Sequence, residues 1–232
     1  MATAFQVRST GFSRNWIPRK KLPKGETTNF WGHFFAAWMI SLLIAATSFA
    51  DEQSQKESER PNPPSDKQRL EKAHQTVVQM FPKDFDQATS PAKKKKLARQ
   101  LLDNAPRIKE DAEVRYALLV EAKGQAIAAG QIALALEAID ITAKYFRIDS
   151  IDSKTAALEE LSRTVRESTG QREIAMAALE LSKESSADDR FDNAHRLGML
   201  ALVSARKSHS MQLIRQAQET LLEINAAKKK AK

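Results

Sequence analysis

From Ser65 to the C-terminus, apolar residues return every three or four positions, the spacing of helices with one buried face, and no segment alternates as a strand would. Proline occurs at 82, 91 and 106 and not again, and glycine in this stretch is confined to 124, 130, 170 and 198. The first predicted helix opens at Ser65 with Gln68 three residues on, the spacing of a capping box. Its stripe is Leu70, Ala73, Val77 and Phe81, and Pro82 ends it. A second helix opens with Ser90 as cap and Pro91 at the first helical position, and carries Leu97, Leu101, Leu102 and Ala105 on one face as far as Pro106.

A third helix covers residues 110–129, with Val114, Leu118, Ala122, Ala126 and Ala129 aligned and Gly130 closing it. The fourth, 131–146, has only Glu137, Asp140 and Lys144 as charges, a single polar stripe. It is expected to be packed on most sides, at the centre of the core, with Ile139 buried. Four more follow: 153–168 (Leu158, Leu161, Val165), 171–185 (Ile174, Ala178, Leu181), 190–207 (Phe191, Ala194, Leu197, Ala201, Ala205) and 210–227 (Met211, Ile214, Ala217, Leu221, Ile224). Short connections make sequence neighbours antiparallel. The expected architecture is therefore all-α: stacked antiparallel helical hairpins, an α-solenoid of about eight helices.

Upstream the texture differs. Phe34 to Ala50 is an uncharged apolar run behind the basic segment Arg14 to Lys24, the order of a secretory leader. Ser48-Phe49-Ala50 offers small residues for cleavage before Asp51. Against cleavage stand an n-region of about 33 residues, longer than usual, and an apolar run that, taken back to Trp31, reaches the ~20 residues needed to span a bilayer. A cleaved signal and a retained anchor both stay open, and a buried helix of a soluble domain is the third reading. The positive-inside rule sends Asp51 onward across the membrane in the first two. The organisation expected is a basic n-region (1–33), a hydrophobic leader (34–50), a disordered linker rich in proline and charge (51–65), a helical domain (66–227) and a lysine tail (228–232).

Charge adds little beyond this topology. Of the net +8, the first 50 residues carry +5 and the four terminal lysines +4, so the helical body is close to neutral and has no broad field for a phosphate backbone. Cysteine is absent, which removes disulfides, thiolate metal sites and a thiol nucleophile. His74, His195 and His209 have no second histidine or carboxylate at metal-ligand spacing, and read as surface or partly buried imidazoles. No nucleophile elbow, dinucleotide fingerprint or P-loop occurs. Glu159-Glu160 and Asp188-Asp189 are paired acids, but neighbouring helical residues point apart, and the second pair suits a helix N-terminus. Lys93 to Lys96 and the terminal lysines read as a solvated face and a frayed tail; neither is interleaved with the aromatics that single-strand binding uses.

Gly130-Gln131-Ile132-Ala133-Leu134-Ala135-Leu136-Glu137 resembles the turn between the two helices of a tetratricopeptide repeat, and Asp189-Arg190-Phe191-Asp192-Asn193-Ala194 is a second echo without the glycine. The aromatic of the first helix is missing from both units. Phe81 to Ala226 is similar to a helical domain of exported proteins from planctomycete-type bacteria, through Phe85-Asp86-Gln87-Ala88, Leu97-Ala98-Arg99-Gln100-Leu101-Leu102 and Arg115-Tyr116-Ala117-Leu118-Leu119-Val120-Glu121-Ala122. These are mostly core positions, and the resemblance implies a fold and no catalytic residue.

The functional expectation is a non-catalytic, protein-binding scaffold in the periplasm or on the outer face of the cytoplasmic membrane. The alternative is a structural or accessory envelope subunit held by its leader and lysine tail. No catalytic, cofactor-binding or metal-binding residue is nominated, and no cofactor. The expected partner is a protein or peptide, with membrane contact through the N-terminal segment if it is uncleaved; nucleic acid and small-molecule substrates are not expected.

Overall fold

A computed structural model describes residues 60–231. The leader, its flanking basic segment and residues 51–59 of the expected linker lie outside the described residues. Among the described residues there are nine α-helices and no strand: α1 (Lys67–Met80), α2 (Pro82–Gln87), α3 (Pro91–Asn104), α4 (Ala112–Ala128), α5 (Ile132–Tyr145), α6 (Ser150–Thr164), α7 (Ser168–Ala187), α8 (Phe191–Lys207) and α9 (Met211–Lys230). A short 3-10 turn, Ala105–Arg107, follows α3. None of these helices is long and apolar enough to cross a membrane.

The elements sit close to their expected positions, with differences that have local causes. The cap of α1 is Asp66, not Ser65; its carboxylate accepts from the amides of Gln68 and Arg69. Pro82 both ends α1 and starts α2: the residue before a proline is driven out of the helical region, and Phe81 (φ −131°) turns the chain there, while proline suits the first helical position. Helix α6 begins three residues before the expected start at 153 because Asp149 supplies a cap there, accepting from the Asp152 amide at 2.9 Å. The lysine tail is not frayed at its start: α9 runs on through Lys230, and basic residues suit the negative end of a helix. The linker also ends earlier than expected. Arg60 donates to the Ala143 carbonyl, and the Pro61 carbonyl accepts from the Arg147 amide at 2.9 Å, so this strap is fixed to the C-terminal end of α5.

Three helix ends close in the same way. At Gly130 (φ +67°), Asp189 (φ +58°) and His209 (φ +56°) the chain takes the left-handed conformation. In each case the next amide reaches back five residues: Gln131 to the Ala126 carbonyl, Arg190 to Ser185 and Ser210 to Ala205, at 2.8–3.2 Å. This is the Schellman closure, for which glycine is the usual residue and which aspartate and histidine tolerate better than most. The glycine missing from the second repeat-like turn is thus replaced in function by Asp189.

Each helix from α3 onward packs on the next and on the one after it. The successions are α3–α5–α7–α9 and, with α1 at its start, α1–α4–α6–α8. Helices α4 and α5 are central: α5 touches α3, α4, α6 and α7, and buries Ile132, Leu134, Ala135, Ala138, Ile139 and Thr142. Helices α7 and α8 pack against one another and both bury small residues, Ala175, Ala178 and Ser182 on one and Ala194, Gly198 and Ala201 on the other. The buried Ser182 hydroxyl donates across this contact to the Ala194 carbonyl at 3.0 Å.

Between the parallel helices α6 and α8 runs a ladder of charge. Asp149 receives both nitrogens of the Arg190 guanidinium (2.9 and 2.6 Å), Asp152 accepts from Asn193, Glu159 pairs with Arg196 (2.5 and 2.6 Å), and Lys207 donates to the Ser162 carbonyl. The Arg190 hydrogen bond is the main reason the Asp149 carboxyl titrates below its ordinary value. Partly exposed pairs of this kind contribute little stability individually, about 0.2–1 kcal/mol. What they fix is the register of the two helices.

Candidate functional site

A cavity of about 860 Å³ forms a groove at the end of the helices where the N-termini of α3, α5 and α7 meet. Its floor is the α4–α5 turn and the first turn of α5, from Gly130 to Leu134; Ala133 is exposed there, while Ile132 and Leu134 are buried beneath. One wall is α3, presenting Lys95, Lys96 and Arg99. The other is the α6–α7 connection and the start of α7, presenting Glu167, Thr169 and Glu173.

Local packing explains why these pieces meet. Val165, extended at the end of α6, is wedged between two glycines: a Cβ on Gly130 would lie 3.3 Å from one of its methyls, and a Cβ on Gly170 only 2.4 Å from the other. Gln171 is 2% exposed and its amide donates to the carbonyls of Ser162 (3.1 Å) and Val165 (2.5 Å), tying the end of α6 to the start of α7. Its own Oε1 has no partner, and the same holds for the buried Oε1 of Gln100 on the α3 side.

This wedge can be tested. Gly170→Ala would ordinarily gain helix propensity, about 1 kcal/mol, but crowding Val165 at 2.4 Å should cost about 1–3 kcal/mol and outweigh it. We expect a net loss of about 1 kcal/mol, reversed to neutral or stabilising when the same change is made in a Val165→Ala background. Urea midpoints of the four proteins measure it; an identical effect in both backgrounds would detach Gly170 from the wedge.

Electrostatically the groove is ordered from wall to wall. In the middle, Arg99 and Glu137 form a two-pronged pair at 2.6 and 2.9 Å, and this hydrogen bonding holds the arginine above its usual value. Lys95, Lys96, Glu167 and Glu173 make no ion pair among the described residues. Helices α5 and α7 begin there with no capping side chain and no acid in the first turn, whereas α4, α6 and α8, which begin at the opposite end, carry Glu113, Asp152 and Asp192. Of the three helices that begin at the groove, α3 is capped by Ser90 and α7 has Glu167 at its start, so α5 alone has neither a capping side chain nor an acid to meet the positive partial charge of its N-terminus.

The other residues weighed from sequence are scattered. His74 faces Glu121 at 3.6 Å between α1 and α4, His195 is exposed on α8, and His209 forms a turn. Among the described residues no three His, Asp or Glu side chains converge as metal ligands. Glu159 is engaged by Arg196 and Glu160 is exposed. Asp188 and Asp189 do not head a helix as expected: Asp188 caps the C-terminus of α7 and Asp189 makes the turn before α8. At the other end Lys228 pairs with Asp192 at 2.6 Å.

Sequence reasoning placed Lys93 to Lys96 on a solvated face and did not find the groove. The available signal was four lysines near the start of a helix, where the macrodipole disfavours them. No family model matches the chain, and no curated protein or solved structure is similar enough to match it.

Proposed function

We propose that the chain is a non-catalytic, protein-binding scaffold of the bacterial cell envelope: a short tetratricopeptide-like α-solenoid that holds a segment of a partner protein in the groove above α5. The contacts of each helix with its two successors support the solenoid reading, since solenoid repeats touch only their neighbours. The observation that carries the binding role is the groove itself. It is large enough for a peptide, floored by backbone turns and small side chains, and walled by charges that the fold leaves unpaired. The resemblance to exported proteins and the leader-like N-terminal run support placement outside the cytoplasm.

A photoreactive side chain at Ala133, on the groove floor, should capture one stoichiometric protein partner in cells. The same probe at Ala156, exposed on α6, should not. Equal capture at both positions would remove the groove from the reading, and adducts with lipid or wall polymer alone would replace it with an accessory-subunit role. A reporter that is active only outside the cytoplasm, fused after Lys232, should be active; activity of a cytoplasm-only reporter in its place would overturn the envelope assignment.

A further inference from the structure

Several charges that face one another across helices are paired in this fold: Asp149 and Asp152 with Arg190, Glu159 with Arg196, Asp140 with Lys154, Asp192 with Lys228. The walls of the groove are not. Lys95 and Lys96 stand on its α3 wall and Glu167 and Glu173 on its α7 wall, both signs around one cavity, yet none of the four bridges to the other side. The central Arg99–Glu137 pair is already satisfied at both ends and separates them.

Helix dipoles account for only part of this arrangement. Glu167 stands at the capping position of α7, where an acid is favoured, yet bonds none of that helix's amides, and Lys95 and Lys96 gain nothing from their place in the second turn of α3. Charges that the fold itself does not use are expected where a site serves a ligand.

We propose that the groove takes a peptide segment of mixed charge, with carboxylates laid against Lys95 and Lys96 and a basic residue against Glu167 and Glu173. This rests on reading the groove as a peptide site, and it names the chemistry of the occupant. The segregation of the walls decides between classes of partner. A continuous polyanion, whether nucleic acid or an anionic membrane, would bring phosphates against Glu167 and Glu173 as well as against the lysines. No aromatic side chain lines the groove to stack a base. A peptide with an acidic cluster followed by a basic one meets both walls with the complementary sign, and such complementarity sets specificity and register.

The test uses the full-length chain in a neutral detergent and fluorescence anisotropy with labelled synthetic peptides of about 12 residues: one with glutamates at one end and lysines at the other, one all-glutamate and one all-lysine. The mixed peptide should bind on the order of tenfold more tightly than either single-sign peptide at low salt. Lys95→Glu with Lys96→Glu should weaken the mixed peptide by a similar factor and strengthen the all-lysine peptide, while Lys109→Glu, an exposed residue near the opposite end of α3, should change neither. All-glutamate peptide binding best would overturn the proposal. So would vesicles containing anionic lipid, or single-stranded DNA, binding more tightly with the same lysine dependence, and so would a failure of the mixed peptide to bind. A protein adduct at Ala133 combined with no preference for mixed charge would remove this inference alone; loss of that adduct would remove the groove reading beneath it.

Discussion

Replacing Phe146 by alanine should cost about 3–5 kcal/mol, the largest single effect we expect in this protein. The side chain is 1% exposed and follows directly on α5, where the backbone opens into an extended conformation (φ −130°, ψ 150°) and turns the ring back into the core. It meets Tyr116 of α4 edge to face, with centroids 5.1 Å apart and planes at 75°, an arrangement that adds about 0.5–1.5 kcal/mol to simple burial. The same burial raises the Tyr116 phenol above its ordinary pKa. A domain of this size has about 5–15 kcal/mol in total, so the variant should lose a large part of its urea midpoint with an unchanged slope. Phe146→Leu, which retains most of the volume, should lose much less. A loss under ~1 kcal/mol for the alanine variant would mean that the α4–α5 junction is not held by this ring.

The second large effect lies in the middle of α5. Ile139 is 2% exposed, on the side of the helix away from Asp140 and Lys144, and Ile139→Ala should cost about 2–5 kcal/mol through lost burial and a residual cavity. Lys144 is exposed and makes no ion pair among the described residues, and Lys144→Ala should shift stability by no more than about 0.5 kcal/mol. Denaturant melts of the two variants read the contrast directly. Equal losses, or a larger loss at Lys144, would place the buried face of α5 on the wrong side.

That contrast was legible from the sequence because it depends on spacing within one helix. Three charges on one stripe left Ile139 only one way to face, and the buried set of α5 follows. Helix ends were less legible, since each depends on which of several neighbouring polar residues caps it: Asp66 rather than Ser65 caps α1, and Asp149 starts α6 at Ser150 rather than at 153. Helix α2 was hidden because Pro82 serves as stop and start in a single residue. The groove could not be read at all. Its walls lie at 95–99 and 167–173 and its floor at 130–134, and the floor meets the α7 wall through Val165 packed between Gly130 and Gly170, a fit of shapes that leaves no periodic trace.

The strap has a mechanical consequence. Arg60 is fixed to the last turn of α5 and Pro61 to Arg147 just beyond it, while the first turn of the same helix floors the groove, so strap and groove lie at opposite ends of one rod. At about 1.5 Å per residue, Ile132 and Ala143 are about 16 Å apart along its axis. A pull on the N-terminal side of the chain would load α5 first through the Arg60–Ala143 and Arg147–Pro61 hydrogen bonds. A pull on a bound segment would load the same helix from its other end. Tension between the two would then run lengthwise along a helix packed on four neighbours, a direction in which many contacts must slip together rather than peel apart one at a time.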